Sequence, residues 1–240
     1  MRNGWTSLVD LLFPRTCAGC GMSVMEEGIH LCWDCRRDLA VISAPFCSTC
    51  GEPVHGRVDH AYVCHACVKQ PMRFDRARAA IHYNALGKKL VTQFKYGHAL
   101  WLESALVDLL EAGVRNHYGE ETYDLLAAVP LHPVKRRERG YNQAALLAAR
   151  LARRLRVPMS RSRALRRIRM TPSQTRLTAK LRLTNVMGAF EVTRPGEWKG
   201  KRVLLVDDVM TTGATVSACA EVIREAGAER VDVITVARGV

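Results

Sequence analysis

The most constraining feature of this 240-residue chain is the thirteen-residue run Val203–Thr215. The four apolar residues that open it predict a buried parallel strand, with Asp207 and Asp208 at the carboxyl end of that strand. Thr211–Thr215 then forms a hydroxyl-rich turn that opens a helix over about 215–226. Backbone N–H groups and hydroxyls at a helix N-terminus suit a phosphate monoester. Ionised carboxylates suit a vicinal diol, because they accept from both hydroxyls. The predicted ligand is therefore a ribose 5-phosphate.

The same run resembles the 5-phosphoribosyl 1-pyrophosphate (PRPP) binding motif of type I phosphoribosyltransferases. A receiver domain also places paired aspartates after an apolar strand. It needs about a hundred further residues, and only 32 follow Asp208. The sequence contains neither G-x-x-x-x-G-K-S/T nor G-x-G-x-x-G, so the other common phosphate-binding motifs are absent.

Eight of the nine cysteines form four C-x-x-C pairs, which predict zinc binding. Eight thiolates suffice for two zinc ions with four ligands each, and such closed sites are structural rather than catalytic. A disulfide framework is disfavoured, because the chain has no secretory signal and the spacing is that of metal sites. The predicted ligands are Cys17, Cys20, Cys32, Cys35, Cys47, Cys50, Cys64 and Cys67.

The pairing of the four knuckles stays open at the level of the sequence. Sequential use would give one ion the first four cysteines and the other ion the last four, whereas interleaved pairing is the alternative. His65 lies inside the last knuckle, but Cys67 completes a set of four without it.

The cysteine pattern also divides the chain. Residues 1–70 are predicted to form the zinc module and residues 75–240 an α/β domain with a parallel sheet. Met1–Pro14 is too short to span a membrane and is predicted to be a short packed helix. The predicted strands cover 77–83, 125–130, 165–168, 189–193, 203–206 and 231–237, the last closing the sheet. The predicted helices cover about 87–94, 100–117, 142–156 and 215–226.

Positive charge is concentrated in residues 135–182. This segment has 16 Lys and Arg against the single acid Glu138, a net charge of +15, whereas the whole chain carries +13. Some of this positive charge would stabilise a pyrophosphate as it leaves. One small ligand needs far fewer cations than the segment contains. The surplus indicates a path for nucleic-acid phosphates, and an arginine-rich solvated surface is the alternative.

Motifs in the middle of the chain resemble those of the ComF family, whose ComFC- and GntX-like members join a zinc-ribbon region to a phosphoribosyltransferase domain. The resemblance covers nearly the whole chain and runs in the correct order. It implies PRPP and Mg²⁺ binding and an association with natural competence, in which internalised single-stranded DNA is handled. The motifs are Leu12-Phe-Pro-Arg15, Phe94-Lys-Tyr-Gly97, Val129-Pro-Leu-His-Pro133, Arg136-Arg-Glu-Arg-Gly-Tyr-Asn-Gln143, Gln174 and Arg182-x-x-Asn185-Val-x-x-Ala-Phe190.

The resemblance also implies roles. Asp207 and Asp208 would be the catalytic acids, holding the ribose hydroxyls beside the positive charge that develops at C1. Mg²⁺ would be held by the oxygens of PRPP and by water, and residues 169–182 would form a mobile hood over the site. Asn142 and Gln143 would line the pocket for the pyrophosphate of PRPP. The alternative for Asn142 is a helix-capping role. The implied PRPP-binding residues are Thr211, Thr212, Gly213, Ala214 and Thr215 for the 5-phosphate, and His132 and Lys135 for the pyrophosphate, with Arg139 close by. The alternative for His132 is a loop histidine with no special task.

Three classes of function follow. The first is an active phosphoribosyltransferase with an unknown acceptor. The second is a PRPP-binding competence factor without turnover, with single-stranded DNA held along segment 135–182. The third uses the zinc module as a platform for DNA or for a helicase-like competence protein. In each case we expect a cytoplasmic protein, because no stretch reaches membrane-spanning length.

Overall fold

The computed structural model describes residues 16–24, 30–54, 56, 58, 60–170, 186 and 188–239. The predicted N-terminal helix and most of the predicted hood, including 171–175, lie outside these ranges. No helix in the described part of the chain is long and apolar enough to span a bilayer. The strands are β1 (Arg76–His82), β2 (Leu125–Ala128), β3 (Leu165–Arg167), β4 (Phe190–Val192), β5 (Arg202–Met210) and β6 (Arg230–Arg238), and the helices are α1 (Trp33–Arg37), α2 (His65–Lys69), α3 (Ala85–Tyr96), α4 (Glu103–Tyr118), α5 (Pro133–Arg139), α6 (Gln143–Leu155) and α7 (Ala214–Glu225).

Four strands form one parallel sheet in the order β1-β6-β5-β2, and β3 pairs separately with β4 in antiparallel orientation. Strands β5 and β6 are apolar along most of their length and are almost wholly buried, as expected of strands covered on both faces. Helices α3, α4 and α6 pack on one face, whereas α7 and the β3–β4 pair pack on the other. The predicted α/β fold with a parallel sheet is confirmed.

Two details of the sheet differ from the prediction. Strand β5 continues beyond Val206 to Met210, because its backbone stays paired with β6 as far as Arg238. Strand β6 lies inside the sheet rather than closing it, since β1 pairs along its other side. Both differences arise from hydrogen bonds to strands distant in sequence.

The helices begin close to their predicted positions. Helix α3 starts at Ala85 because the side chain of Asn84 accepts a hydrogen bond from the Gly87 N–H at 3.0 Å. A 3₁₀ turn at Leu100–Leu102 precedes α4, where one continuous helix was predicted. Helix α5 was not predicted; its first residue is Pro133, which is well suited to the first turn of a helix.

The cysteine-rich segment packs directly on the free edge of β1. Backbone hydrogen bonds join Ala77 N–H to Thr49 O at 2.7 Å and His82 N–H to Ala40 O at 2.8 Å. The last four cysteines lie in the same apolar cluster as Ala77 and the interior of β5. The predicted division at residues 70 and 75 stays a prediction, but the described parts on either side of it share a core.

We predict that Gly51 is required where the two parts meet. Its φ is +68°, and a β-carbon there would lie 2.4 Å from the carbonyl oxygen of Ala77. Gly51→Ala should therefore lower the free energy of unfolding by about 1 kcal/mol through backbone strain and by about 1–3 kcal/mol more through overpacking. Gly21→Ala is the matched control, since Gly21 has φ +81° but open space around it. Denaturant unfolding at fixed zinc measures both, and equal losses would contradict the prediction.

Candidate active site

Asp207 and Asp208 lie near the carboxyl end of β5 and face opposite sides of the sheet. Successive side chains of a strand point to opposite faces, so Asp207 continues the row of Val203 and Leu205, which packs with Cys219 of α7. Asp208 continues the row of Leu204 and Val206, on the side of α3. An Asp207 carboxylate oxygen accepts from the Asp208 N–H at 2.9 Å. The two acids are adjacent but have different neighbours.

Lys95 is the site residue that the sequence analysis missed. Its Nζ lies 2.9 Å from Oδ1 of Asp208, and both side chains are largely buried, at 20% and 9% exposure. Burial by itself would lower the pKa of Lys95, but the charges of Asp208 and Asp207 outweigh it and raise the pKa. The sequence signal was the motif Phe94-Lys-Tyr-Gly97, which we used for the resemblance without giving Lys95 a role.

Asp207 has an unusually high pKa. Burial and the neighbouring charge of Asp208 together raise the pKa of Asp207 to about 8, against the opposing effects of Lys95, the Asp208 N–H and Arg167. Of the two carboxyls, Asp208 has the close cationic partner. A pKa raised in this way favours the protonated form of Asp207 at neutral pH in the ligand-free site.

This pKa predicts a pH-dependent stability difference between wild type and Asp207→Asn. The folded state retains the proton up to about pH 8, whereas the unfolded state releases it near pH 4. Wild-type stability therefore falls as pH rises through this interval. The Tm of Asp207→Asn minus that of wild type should grow from pH 6 to about 8 and stay level above it.

Asp124→Asn is the control for this measurement. The Arg202 N–H lowers the pKa of Asp124, so Asp124 is already ionised in both states above pH 6. Its Tm difference from wild type should be constant from pH 6 to 9. A flat profile for Asp207→Asn as well would contradict the prediction.

The threonine turn follows the acids directly. Gly213 has φ +79°, which glycine adopts without strain, and it is the N-cap residue of α7. Its carbonyl accepts from the Ser217 N–H at 2.8 Å, which starts the helix one residue earlier than predicted. The Ala214 N–H approaches Thr212 Oγ1 at 3.5 Å. Thr211–Thr215 therefore surrounds the N-terminus of a twelve-residue helix, the place predicted for the 5-phosphate.

The residues assigned to pyrophosphate are divided between two environments. His132 accepts from the Val134 N–H at 3.4 Å as the cap of α5, and Lys135 pairs with Glu138 at 3.0 Å. Arg139 instead lies 4.8 Å over the ring of Tyr96, the residue after Lys95. Arg139 is thereby connected to the turn that carries Lys95, whereas His132 and Lys135 contact their own helix.

The segment around Arg139 is joined to α3 and β2 by further hydrogen bonds. Arg139 Nη1 donates to the side chain of buried Gln143 at 2.6 Å, and the Tyr141 hydroxyl donates to the carbonyl of Phe94. Asn142 precedes α6 without a side-chain cap and donates to the carbonyl of Val129 at 3.0 Å. Asn142 therefore ties the start of α6 to the end of β2.

An arginine-lined cavity of about 860 Å³ opens beside this segment. Arg167 lines the cavity and also acts electrostatically on Asp207, although neither Asp207 nor Asp208 lines the cavity itself. No acidic residue is among the described residues that line it. The arginines are Arg136, Arg137, Arg161, Arg163, Arg166 and Arg167.

The eight predicted zinc ligands form two clusters in the sequential pairing. Cys17, Cys20, Cys32 and Cys35 converge in one and Cys47, Cys50, Cys64 and Cys67 in the other, with the sulfur atoms of each within 4.8 Å of one another. The Cys20–Cys32 and Cys50–Cys64 sulfur distances are both 3.7 Å. Zn–S bonds of about 2.3 Å in a tetrahedron place sulfurs about 3.8 Å apart. The residues therefore fit zinc, and neither set needs His65.

Comparison with known proteins agrees with this arrangement. Family profiles match a double zinc ribbon domain over residues 8–68 and a phosphoribosyl transferase domain over residues 142–239. The chain is 33% identical to competence protein F of Haemophilus influenzae over 232 residues, which cover 94% of this chain and 98% of that protein. It is 32% identical to the DNA utilization protein YhgH of Escherichia coli (strain K12), covering 85% and 94%.

A solved structure of adenine phosphoribosyltransferase from Thermoanaerobacter pseudethanolicus aligns at 18% identity and a TM-score of 0.36. The alignment covers 62% of this chain and 84% of that chain. The fold assignment depends on the strand order and the family profile, since an overlay of this quality carries no weight by itself.

Proposed function

The chain belongs to the ComF family of competence proteins, and from that premise we propose that it binds PRPP with Mg²⁺ at the β5–α7 junction. The observation that carries the proposal is the acid pair of β5 followed at once by the threonine turn of α7. Thr211–Thr215 would hold the 5-phosphate through backbone N–H groups and hydroxyls. Asp207 and Asp208 would accept from the ribose hydroxyls.

Mg²⁺ would be held by PRPP oxygens and water, as this ion prefers, and would neutralise charge on the pyrophosphate. The chain's own contribution is positioning. Lys95 holds Asp208 in place, and Arg139 extends from the neighbouring turn as the candidate pyrophosphate contact. In transfer, the bond from C1 to pyrophosphate breaks and a bond from C1 to the acceptor forms. The carboxylates stabilise the positive charge that develops between these events.

The arginine-lined cavity, which includes Arg167, favours an anionic acceptor over a neutral base. Its six arginines would attract an acceptor that carries a phosphate. A neutral purine in the same cavity would leave their positive charges without a partner. We therefore propose a phosphoribosyltransferase activity toward an acceptor that carries negative charge.

Loss of both acids should abolish PRPP binding. We expect calorimetry with Mg²⁺ to show binding by wild type and a loss of at least about 100-fold for Asp207→Ala/Asp208→Ala, because each carboxylate hydrogen bond contributes roughly 1.5–3 kcal/mol. Asp124→Ala is the control, since Asp124 pairs with Arg202 at the opposite end of β5. Binding by the double variant equal to wild type would place the ligand elsewhere. No binding by a folded, zinc-loaded wild type would reject the proposal.

A second candidate function is contact with single-stranded DNA along segment 135–182. The arginine-lined cavity favours it, as do the printed names of the relatives, which refer to competence and to DNA utilization. Tyr141 is the aromatic residue among the described lining residues, so we expect contact with the phosphate backbone rather than recognition by base stacking. The helicase-like partner and the cytoplasmic location stay predictions.

Salt dependence tests the second candidate. Arg136→Gln/Arg137→Gln should weaken single-strand binding and reduce the slope of log K against log salt by about 1.4, since each phosphate contact contributes about 0.7. The matched control is Arg36→Gln/Arg37→Gln, which removes two exposed arginines from α1 in the cysteine-rich segment. Fluorescence anisotropy measures the DNA affinity of both double variants between about 50 and 300 mM salt, where salt has a large effect on affinity. A loss of slope only in the control would assign DNA to the cysteine-rich segment instead.

A further inference from the structure

We propose that Lys95 is a positioning residue of the PRPP site, which holds the side chain of Asp208 in place, and that Asp207 is the acid that releases a proton when the ribose diol binds. The inference rests on the proposed PRPP binding and assigns different tasks to two acids that the sequence treats alike. The only bond that breaks is the O–H bond of protonated Asp207, whose proton passes to solvent and leaves the carboxylate.

The geometry of the ion pair is the first support. Lys95 Nζ is 2.9 Å from Asp208 Oδ1 in a largely buried setting, where solvent screens the interaction little. A cation in the last turn of α3 is also favoured by the helix dipole. Loss of one partner of such a pair leaves the other charge buried and uncompensated.

The turn that carries Lys95 is held firmly. Phe94 is fully buried against the sheet, and its carbonyl accepts from the Tyr141 hydroxyl. Tyr96 on the other side lies under the guanidinium of Arg139. The position of the ammonium group is therefore set by residues on both sides of it and by the segment around Arg139.

The opposite faces of β5 give the two acids different neighbours. Asp208 is on the side of α3, with Lys95 and Tyr96, whereas Asp207 is on the side of α7 and β3, with Cys219 and Arg167. Among the described residues, Lys95 and Arg167 act electrostatically on Asp207, Asp207 acts on Cys219, and Tyr96 acts on Lys95. Burial and the charge of Asp208 raise the pKa of Asp207 to about 8, so the protonated form of Asp207 is favoured in the ligand-free site.

Diol binding should remove this proton. A protonated carboxyl has lost part of its acceptor capacity, whereas a carboxylate accepts from both hydroxyls. Binding therefore favours ionised Asp207, and PRPP affinity should rise with pH toward about 8. Without Lys95 the two carboxyls keep their mutual repulsion but lose the nearby cation, so the midpoint of this rise should move to higher pH by about one unit or more.

The experiment is calorimetric PRPP·Mg²⁺ binding from pH 6 to 9, in buffers with different ionisation enthalpies so that proton release is counted. Wild type is compared with Lys95→Met and with Lys95→Arg, which retains the charge. Lys88→Met removes an exposed lysine from the same helix as a control. We expect wild type to release a proton on binding. The midpoint of the rise in affinity with pH should move to higher pH in Lys95→Met and should match wild type in Lys95→Arg and Lys88→Met. Titration of the PRPP phosphates is common to all four proteins.

Each outcome has a distinct meaning. No binding by wild type at any pH would reject the proposed function itself. Binding by wild type, with Lys95→Met weaker but unchanged in midpoint and proton release, would overturn the inference, because Lys95 would then act as a direct ligand or as packing. If Lys95→Met does not fold, Lys95→Gln provides a hydrogen-bond donor without the charge, on a side chain one atom shorter, and should show the same alkaline midpoint. An unchanged midpoint in Lys95→Gln would also overturn the inference.

Discussion

The long parallel pairing of β5 with β6 is the constraint on which the rest of the structure depends. It holds nine residues of β5 in one straight strand, from Arg202 opposite Arg230 to Met210 opposite Arg238. Beyond its end, the Gly239 N–H donates to the Met210 carbonyl at 2.9 Å, so the last strand also supports the start of the threonine turn. At the same end, Arg238 Nη2 lies 3.4 Å from the sulfur of Cys50. One pair of strands thus joins the acids, the phosphate turn and the second cysteine cluster.

The second determining factor is how charge is distributed around that strand. A buried carboxylate without a partner costs several kcal/mol, and the site meets this cost differently for each acid. Asp208 is paired with Lys95, and the pKa of Asp207 is raised to about 8. Arg167 then links Asp207 to a cavity with six arginines. The acid pair is therefore connected electrostatically, through Arg167, to a cavity of concentrated positive charge.

Local patterns in the sequence predicted the elements well where they carry their own signal. The apolar run of β5, the threonine turn and the four C-x-x-C pairs all depend on residues within a few positions of one another, and each lies where predicted. Strand and helix ends were less accurate. Strand β5 extends to Met210 only because β6 is alongside, and α5 forms over a charged stretch with little apolar periodicity.

The sequence alone therefore determined the chemistry: a ribose 5-phosphate motif, two sets of zinc ligands and a concentration of positive charge. These follow from side-chain types at short spacing, which survive any arrangement of the remaining chain. Only the tertiary structure decided which cysteines share a cluster, which face each acid occupies and that Lys95 reaches Asp208 across 113 positions of sequence. Such contacts depend on strand order and register, because a shift of one residue turns every side chain of a strand to the other face.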